Sequence, residues 1–212
     1  MKIIAHRGAS ADAPENTIEA FELAIQHGAD LIETDLRLTK DGIVACLHDA
    51  TLKRTFGYER ALAEVSAAEA QALGAPLLTD LLALADGRIG LLLELKEDAA
   101  AAPTAALLEG TDTEHILVQS FSVACVRSLA ELLSTHTRYQ LTSKAEDLTP
   151  EALAITAEYA HGVAAHYSIV TAESVAAMRA QGLAVVTWTV NEPAEKARLQ
   201  ALGIDALITD TP

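Results

Sequence analysis

Gly28-Ala29-Asp30-Leu31-Ile32-Glu33-Thr34-Asp35-Leu36-Arg37-Leu38 is the stretch on which the fold turns. A glycine ends a helix in the left-handed conformation, and the chain drops at once into an apolar strand. The same event recurs at Gly203-Ile204-Asp205-Ala206-Leu207-Ile208, which marks an internal helix-to-strand repeat. Outward from these segments, strand-like apolar runs fall at Ile3–His6, Leu31–Leu36, Gly90–Leu95, His115–Gln119, Arg138–Leu141, Val163–Ala165, Ala184–Val190 and Ala206–Ile208, mostly separated by helical stretches. Strands alternating with helices imply parallel strands joined by right-handed crossovers. Eight such units predict an α/β fold of the closed (β/α)8 or TIM-barrel type rather than an open sheet. The 212 residues contain no linker or charge block and read as a single domain, 1–212, at the lower end for a barrel that is typically ~250 residues.

Local signals agree with this layout. The first helix is expected to open with Asn16 as cap and Glu19 answering it in a capping box, to carry an apolar stripe of Ile18, Phe21 and Ile25, and to stop at Gly28. Thr171 and Gly182 bracket a later helix, as do Pro193 and Gly203. One connection breaks the alternation. Between Leu36 and Leu47 there is only a tight turn at Lys40-Asp41-Gly42, and Asp-Gly is the strongest short hairpin signal, so the second strand overshoots the rim and folds back as a β-hairpin extension. With Asp41 and Gly42 as a two-residue loop, the ladder would set Asp35 opposite His48.

Composition excludes several classes of function. With 15 basic and 30 acidic residues, the formal charge of −15 disfavours nucleic acid and anionic membrane surfaces as partners. The start has no apolar leader and no run approaches the ~20 residues of a membrane span, so a cytoplasmic protein without stable membrane association is expected. Cys46 and Cys125 show no zinc or redox spacing and read as small buried side chains. An anionic substrate would therefore need a locally positive pocket.

The chemistry-bearing residues sit at strand ends. Glu33 and Asp35 are two apart on a strand and share a side, as do Glu94 and Lys96 in Leu93-Glu94-Leu95-Lys96. A row of charges buried against helices would be costly, which favours the inward, rim-facing choice. Three carboxylates converging at one mouth repel one another unless a cation lies among them, and all-oxygen ligation selects Mg²⁺, Ca²⁺ or Mn²⁺ over zinc. His6 and His48 each close an apolar strand and precede a charged residue, Arg7 or Asp49. His27, His115, His136 and His161 read as structural, and His166, at the end of the sixth strand, is open to either role.

His6-Arg7-Gly8, Pro14-Glu15-Asn16-Thr17, Glu33-x-Asp35, Lys40-Asp41-Gly42, His48-Asp49 with Arg54-Thr55, Glu94-x-Lys96 and Trp188-Thr189-Val190-Asn191, in that order, resemble the glycerophosphodiester phosphodiesterases over nearly the whole chain. The resemblance implies a TIM barrel that hydrolyses a small-molecule glycerophosphodiester to sn-glycerol 3-phosphate and an alcohol with a divalent cation. It implies His6 and His48 as the general acid/base pair, Glu33, Asp35 and Glu94 as metal ligands, Arg7 and Lys96 as phosphate contacts, and Phe121 and Trp188 as the glycerol side, with ordinary packing the alternative for both aromatics. The chain departs from the family in having only Phe56–Pro76 after the His-Asp motif where a larger capping insertion is common. That leaves the pocket either open or covered by a second copy in a homodimer. Rival readings are a lysophospholipase D on the same scaffold, a metal-dependent sugar isomerase or aldolase, and a non-catalytic phosphate-binding barrel.

Overall fold

The structure, a computed structural model, describes residues 1–111 and 113–212. Its strands are β1 (Lys2–His6), β2 (Leu31–Leu38), β3 (Val44–Cys46), β4 (Gly90–Leu95), β5 (Ile116–Ser120), β6 (Arg138–Thr142), β7 (Gly162–His166), β8 (Ala184–Trp188) and β9 (Ala206–Thr209). They are interleaved with helices α1 (Ile18–Gln26), α2 (Lys53–Phe56), α3 (Ala67–Ala72), α4 (Leu78–Ala85), α5 (Ala101–Leu108), α6 (Val123–Leu132), α7 (Pro150–Thr156), α8 (Ala172–Ala180) and α9 (Pro193–Ala201). Every neighbouring pair around the ring is parallel, β1 pairs with both β2 and β9, and the sheet closes into the expected eight-stranded barrel. No helix among the described residues is long and apolar enough to cross a membrane.

Alternation along the strands sorts the core into two layers. Ile4, Leu31, Leu92, Leu117, Leu141, Ala164, Val186 and Ile208 point inward and fill the barrel. Ile32, Leu36, Leu91, Leu93, Leu95 and Val118 point outward against helices, with Phe21 and Ala24 of α1 among their partners. Cys46 and Cys125 are buried. The repeated corners are alike in detail: Asp30 Oδ2 accepts from the Ile3 amide at 2.7 Å, and Asp205 Oδ2 from the Val185 amide at 2.7 Å. A short polar side chain at each corner thus takes up a backbone N–H at the start of a barrel strand.

Two local expectations are corrected. Asn16 does not cap α1; Thr17 does, its hydroxyl accepting from the Ala20 amide at 3.2 Å, and Ile18 is exposed while Ala20, Phe21 and Ala24 form the buried face. The hairpin register is one residue off the expected one. β3 does fold back antiparallel to β2, but Leu36 pairs with Cys46 and Leu38 with Val44, and the Leu47 amide donates to the Asp35 carbonyl, so Leu47 and not His48 stands opposite Asp35. The loop is three residues, Lys40-Asp41-Gly42, with Gly42 left-handed at φ +76°. Asp41 is pulled from a two-residue turn because its Oδ1 accepts from the Thr39 hydroxyl (2.6 Å) and the Ala67 amide (3.0 Å).

Candidate active site

The inward positions change character at the carboxyl ends of the strands. Above Leu31 on β2 come Glu33 and Asp35, and above Leu92 on β4 comes Glu94, with Asp35 and Glu94 directly paired in the sheet. Glu33, Asp35 and Glu94 are all buried, and one oxygen from each lies within 4.8 Å of the others. Burial, then the charges of Asp35 and Glu94, push the Glu33 carboxyl well above its usual range, and burial with Asp35 pushes Glu94 up. Asp35 goes the other way. Burial opposes its ionisation, but Arg7 and Lys96 outweigh that penalty and hold it low.

The loop after β1 brings cations to this cluster. Arg7 (φ +58°) and Gly8 (φ +85°) are both left-handed, and a Cβ on Gly8 would lie 2.6 Å from the Ala20 backbone, so only glycine fits where the loop crosses α1. The turn places Arg7 Nε 3.0 Å from Asp35 Oδ2, and the Arg7 amide donates to Glu33 Oε2 at 3.1 Å. Asn16 (φ +53°) is fully buried, donating to Asp35 Oδ2 at 2.9 Å and accepting the Thr34 hydroxyl at 2.6 Å. Lys96 Nζ donates to Glu94 Oε1 at 2.6 Å and stands 3.5 Å from Asp35 Oδ1. That Asp35 oxygen is buried with no hydrogen-bond donor. An orphaned carboxylate oxygen beside two carboxyls driven toward protonation is what a hard divalent cation would satisfy, so this donor set fits such an ion.

Both imidazoles reach the same cavity of about 90 Å³, whose wall includes His6, His48, Lys96, Phe121 and Trp188. Each ring is backed by a carboxylate. His6 Nδ1 lies 2.6 Å from Asp210 Oδ1, and Asp210 also accepts from Ser10 (3.0 Å) and Asn191 (2.6 Å), which with His6 overcome burial and pull its pKa down to about 2. His48 Nδ1 lies 2.7 Å from Asp49 Oδ1. Burial lowers the His48 pKa despite that contact, and Arg54 above all, then His48, hold Asp49 low. A carboxylate only accepts, so Nδ1 of each ring is the donor, and in the neutral ring Nε2 carries the free lone pair.

The expected site residues thus converge at one mouth. Phe121 and Trp188 meet edge to face at 5.5 Å, and Lys96 Nζ lies 5.9 Å from the Phe121 ring centre. His166 packs on Trp188 at 5.0 Å and does not line that cavity. Asp210 and Ser10 were not singled out from sequence, Glu15, Asp49, Arg54 and Asn191 stood there only as members of motifs without roles, and Asn16 was read only as a helix cap. The available signal was an acid just beyond an apolar strand, Thr209-Asp210, in the same position as Arg7 after His6.

The model of the glycerophosphoryl diester phosphodiesterase family matches residues 6–89 and 92–212. This chain belongs to that family. A glycerophosphodiester phosphodiesterase of Bacillus altitudinis is 30% identical over 100% of this chain and 95% of its own length. One of Caldanaerobacter subterraneus is 29% identical, covering 99% of this chain and 94% of the relative. A phosphodiesterase of Oleispira antarctica, solved with its product sn-glycerol-3-phosphate, superposes with a TM-score of 0.91 at 26% identity, covering 100% of this chain and 94% of that one. Its barrel class is therefore shared with solved family members.

Proposed function

We propose that the chain, as one barrel domain, hydrolyses glycerophosphodiesters to sn-glycerol 3-phosphate and an alcohol. The observation that carries this reading is the pair of carboxylate-backed imidazoles on one small cavity beside a buried acidic triad. We propose further that this activity serves the breakdown of glycerophospholipid-derived diesters in the cytoplasm.

Glu33, Asp35 and Glu94 would hold Mg²⁺, Ca²⁺ or Mn²⁺, which supplies positive charge against the non-bridging oxygens of the phosphate. Arg7 and Lys96 add fixed positive charge at the same place, where it stabilises the more anionic transition state. One of His6 and His48 takes the proton from the attacking oxygen as the phosphorus–oxygen bond forms. The other gives a proton to the leaving alkoxide as its bond to phosphorus breaks. The attacker is water, or the neighbouring glycerol hydroxyl followed by hydrolysis of a cyclic phosphate. Phe121 and Trp188 offer an apolar face to the glycerol carbons.

The test is a panel of soluble and lipid glycerophosphodiesters assayed after chelation and readdition of Mg²⁺, Ca²⁺ or Mn²⁺. Metal-restored release of sn-glycerol 3-phosphate is expected. A His6→Ala or His48→Ala variant that keeps most of its turnover would refute the assignment.

A further inference from the structure

Glu15, in the loop after β1, holds two arginines at once. Its Oε1 accepts from Arg7 Nη1 at 3.0 Å and Arg54 Nη2 at 2.8 Å, and its Oε2 accepts from Arg54 Nη1 at 2.7 Å. Arg54 then grips Asp49 on its other edge, Nε to Oδ2 at 2.7 Å and Nη2 to Oδ1 at 3.1 Å. Asp49 Oδ1 is the atom that faces His48 Nδ1. With the Arg7–Asp35 contact, an unbroken run of side chains leads from the acidic triad to the His48 ring.

The His6 side is built differently. Its carboxylate, Asp210, is fixed by the neutral donors Ser10 and Asn191. Only His48 depends on a relay of charges, and that relay joins the loop after β1 to the segment that follows β3. Arg54 has a side chain 48% exposed, and ion pairs of that exposure contribute ~0–1 kcal/mol to stability. A forked guanidinium satisfied on two edges nevertheless fixes both carboxylates in plane, which a single ammonium cannot do. The arrangement is costly to explain as a stabilising device and simple to explain as alignment, since small displacements of a reacting group are expensive in rate.

We infer that Glu15 and Arg54 are positioning residues that align His48 through Asp49, with Glu15 also seating Arg7. The inference rests on the roles proposed above for His48 and Arg7. Arg54 therefore acts on the turnover step alone, whereas Glu15 acts on it through Arg54 and, through Arg7, on substrate binding and transition-state charge as well.

The test uses the full chain as wild type, Arg54→Ala, Arg54→Lys, Glu15→Ala and the Glu15→Ala/Arg54→Ala double variant. Readouts are kcat and KM on sn-glycero-3-phosphocholine, the thermal midpoint, and ¹⁵N ring signals of labelled histidine. Arg54→Ala is expected to lower kcat at least tenfold, to leave KM within about twofold, and to barely move the midpoint. Lysine should recover little of the loss. Glu15→Ala should lower kcat at least as far and raise KM several-fold, and in the Arg54→Ala background it should still raise KM while costing a smaller factor of kcat than in the wild type. The His48 ring should pass from one Nδ1–H tautomer to a mixture in Arg54→Ala. Arg54→Ala with kcat within twofold of wild type, or Glu15→Ala costing the same factor of kcat in both backgrounds, would overturn the inference. So would an unchanged His48 tautomer. Should the wild type release no sn-glycerol 3-phosphate while the tautomer still shifts in Arg54→Ala, the proposed activity falls and the coupling stands.

Discussion

The floor and the mouth of this barrel are made by the same strands and obey opposite rules. On β2 and β4 the inward side chains pass from Leu31 and Leu92 to Glu33, Asp35 and Glu94 within one or two pleats. The floor buries hydrocarbon and stabilises the fold. The mouth buries like charges, which costs stability, and Arg7 and Lys96 beside Asp35 and Glu94 offset part of that cost. Apolar cohesion below holds the strands that force the acids together above.

That contrast can be broken in the activity assay first. His6→Ala or His48→Ala should lower turnover by roughly 10²–10⁴-fold while leaving the unfolding midpoint in place. A large loss of stability instead would mean that the mouth is also a structural element. The mirror experiment is Leu92→Ala, a fully buried floor residue. It should cost about 2–5 kcal/mol in denaturant unfolding, with kcat per folded molecule little changed.

Smaller effects sharpen the boundary. Because the folded Glu33 carboxyl sits well above its unfolded value near 4.5, the native state binds the extra proton. Its contribution therefore weakens as pH rises from about 4.5 through the folded pKa. In chelator, Glu33→Gln should stabilise the apoprotein at neutral pH and flatten that part of the pH–stability curve; an unchanged curve would show that the triad is not under mutual strain. Asp210 has the opposite sign. With its pKa lowered to about 2 from 3.8, its stabilisation is full above about pH 4 and is lost as pH falls toward 2, and Asp210→Asn should remove that acid-side loss. Least of all, Thr17→Ala removes the cap of α1 and should cost about 1 kcal/mol with no effect on KM.

The strands were legible because each is an apolar run cut off by glycine or a charge. Glu33, Asp35, Glu94 and Lys96 were legible because a period of two places them beyond the apolar positions, and His6 and His48 because each closes an apolar strand beside a charge, while the role of Arg7 came from the family resemblance. What sequence could not supply was competition for a side chain by a distant partner. Asp41-Gly42 favours a two-residue loop until Ala67 claims Asp41, and that one-residue change moves His48 off the position facing Asp35. Asn16 and Thr17 are both competent caps, and the choice falls to Thr17 because Asp35 and Thr34 occupy Asn16. Asp210 was invisible as a partner of His6 since 204 positions of chain separate them. The Glu15–Arg54 link has the same cause over 39 positions.

The pairing of β1 with β9 carries a consequence for biosynthesis. Lys2–Ala5 find their partners at Ala206–Thr209, so ring closure is the most nonlocal event in the molecule and waits on translation of nearly the whole chain. A nascent polypeptide that has not yet delivered Asp210 presents His6 without its carboxylate. On the roles proposed for His6 and His48, a chain cut before Asp210 should turn over far more slowly than the closed ring, which a truncation series assayed for sn-glycerol 3-phosphate release would check.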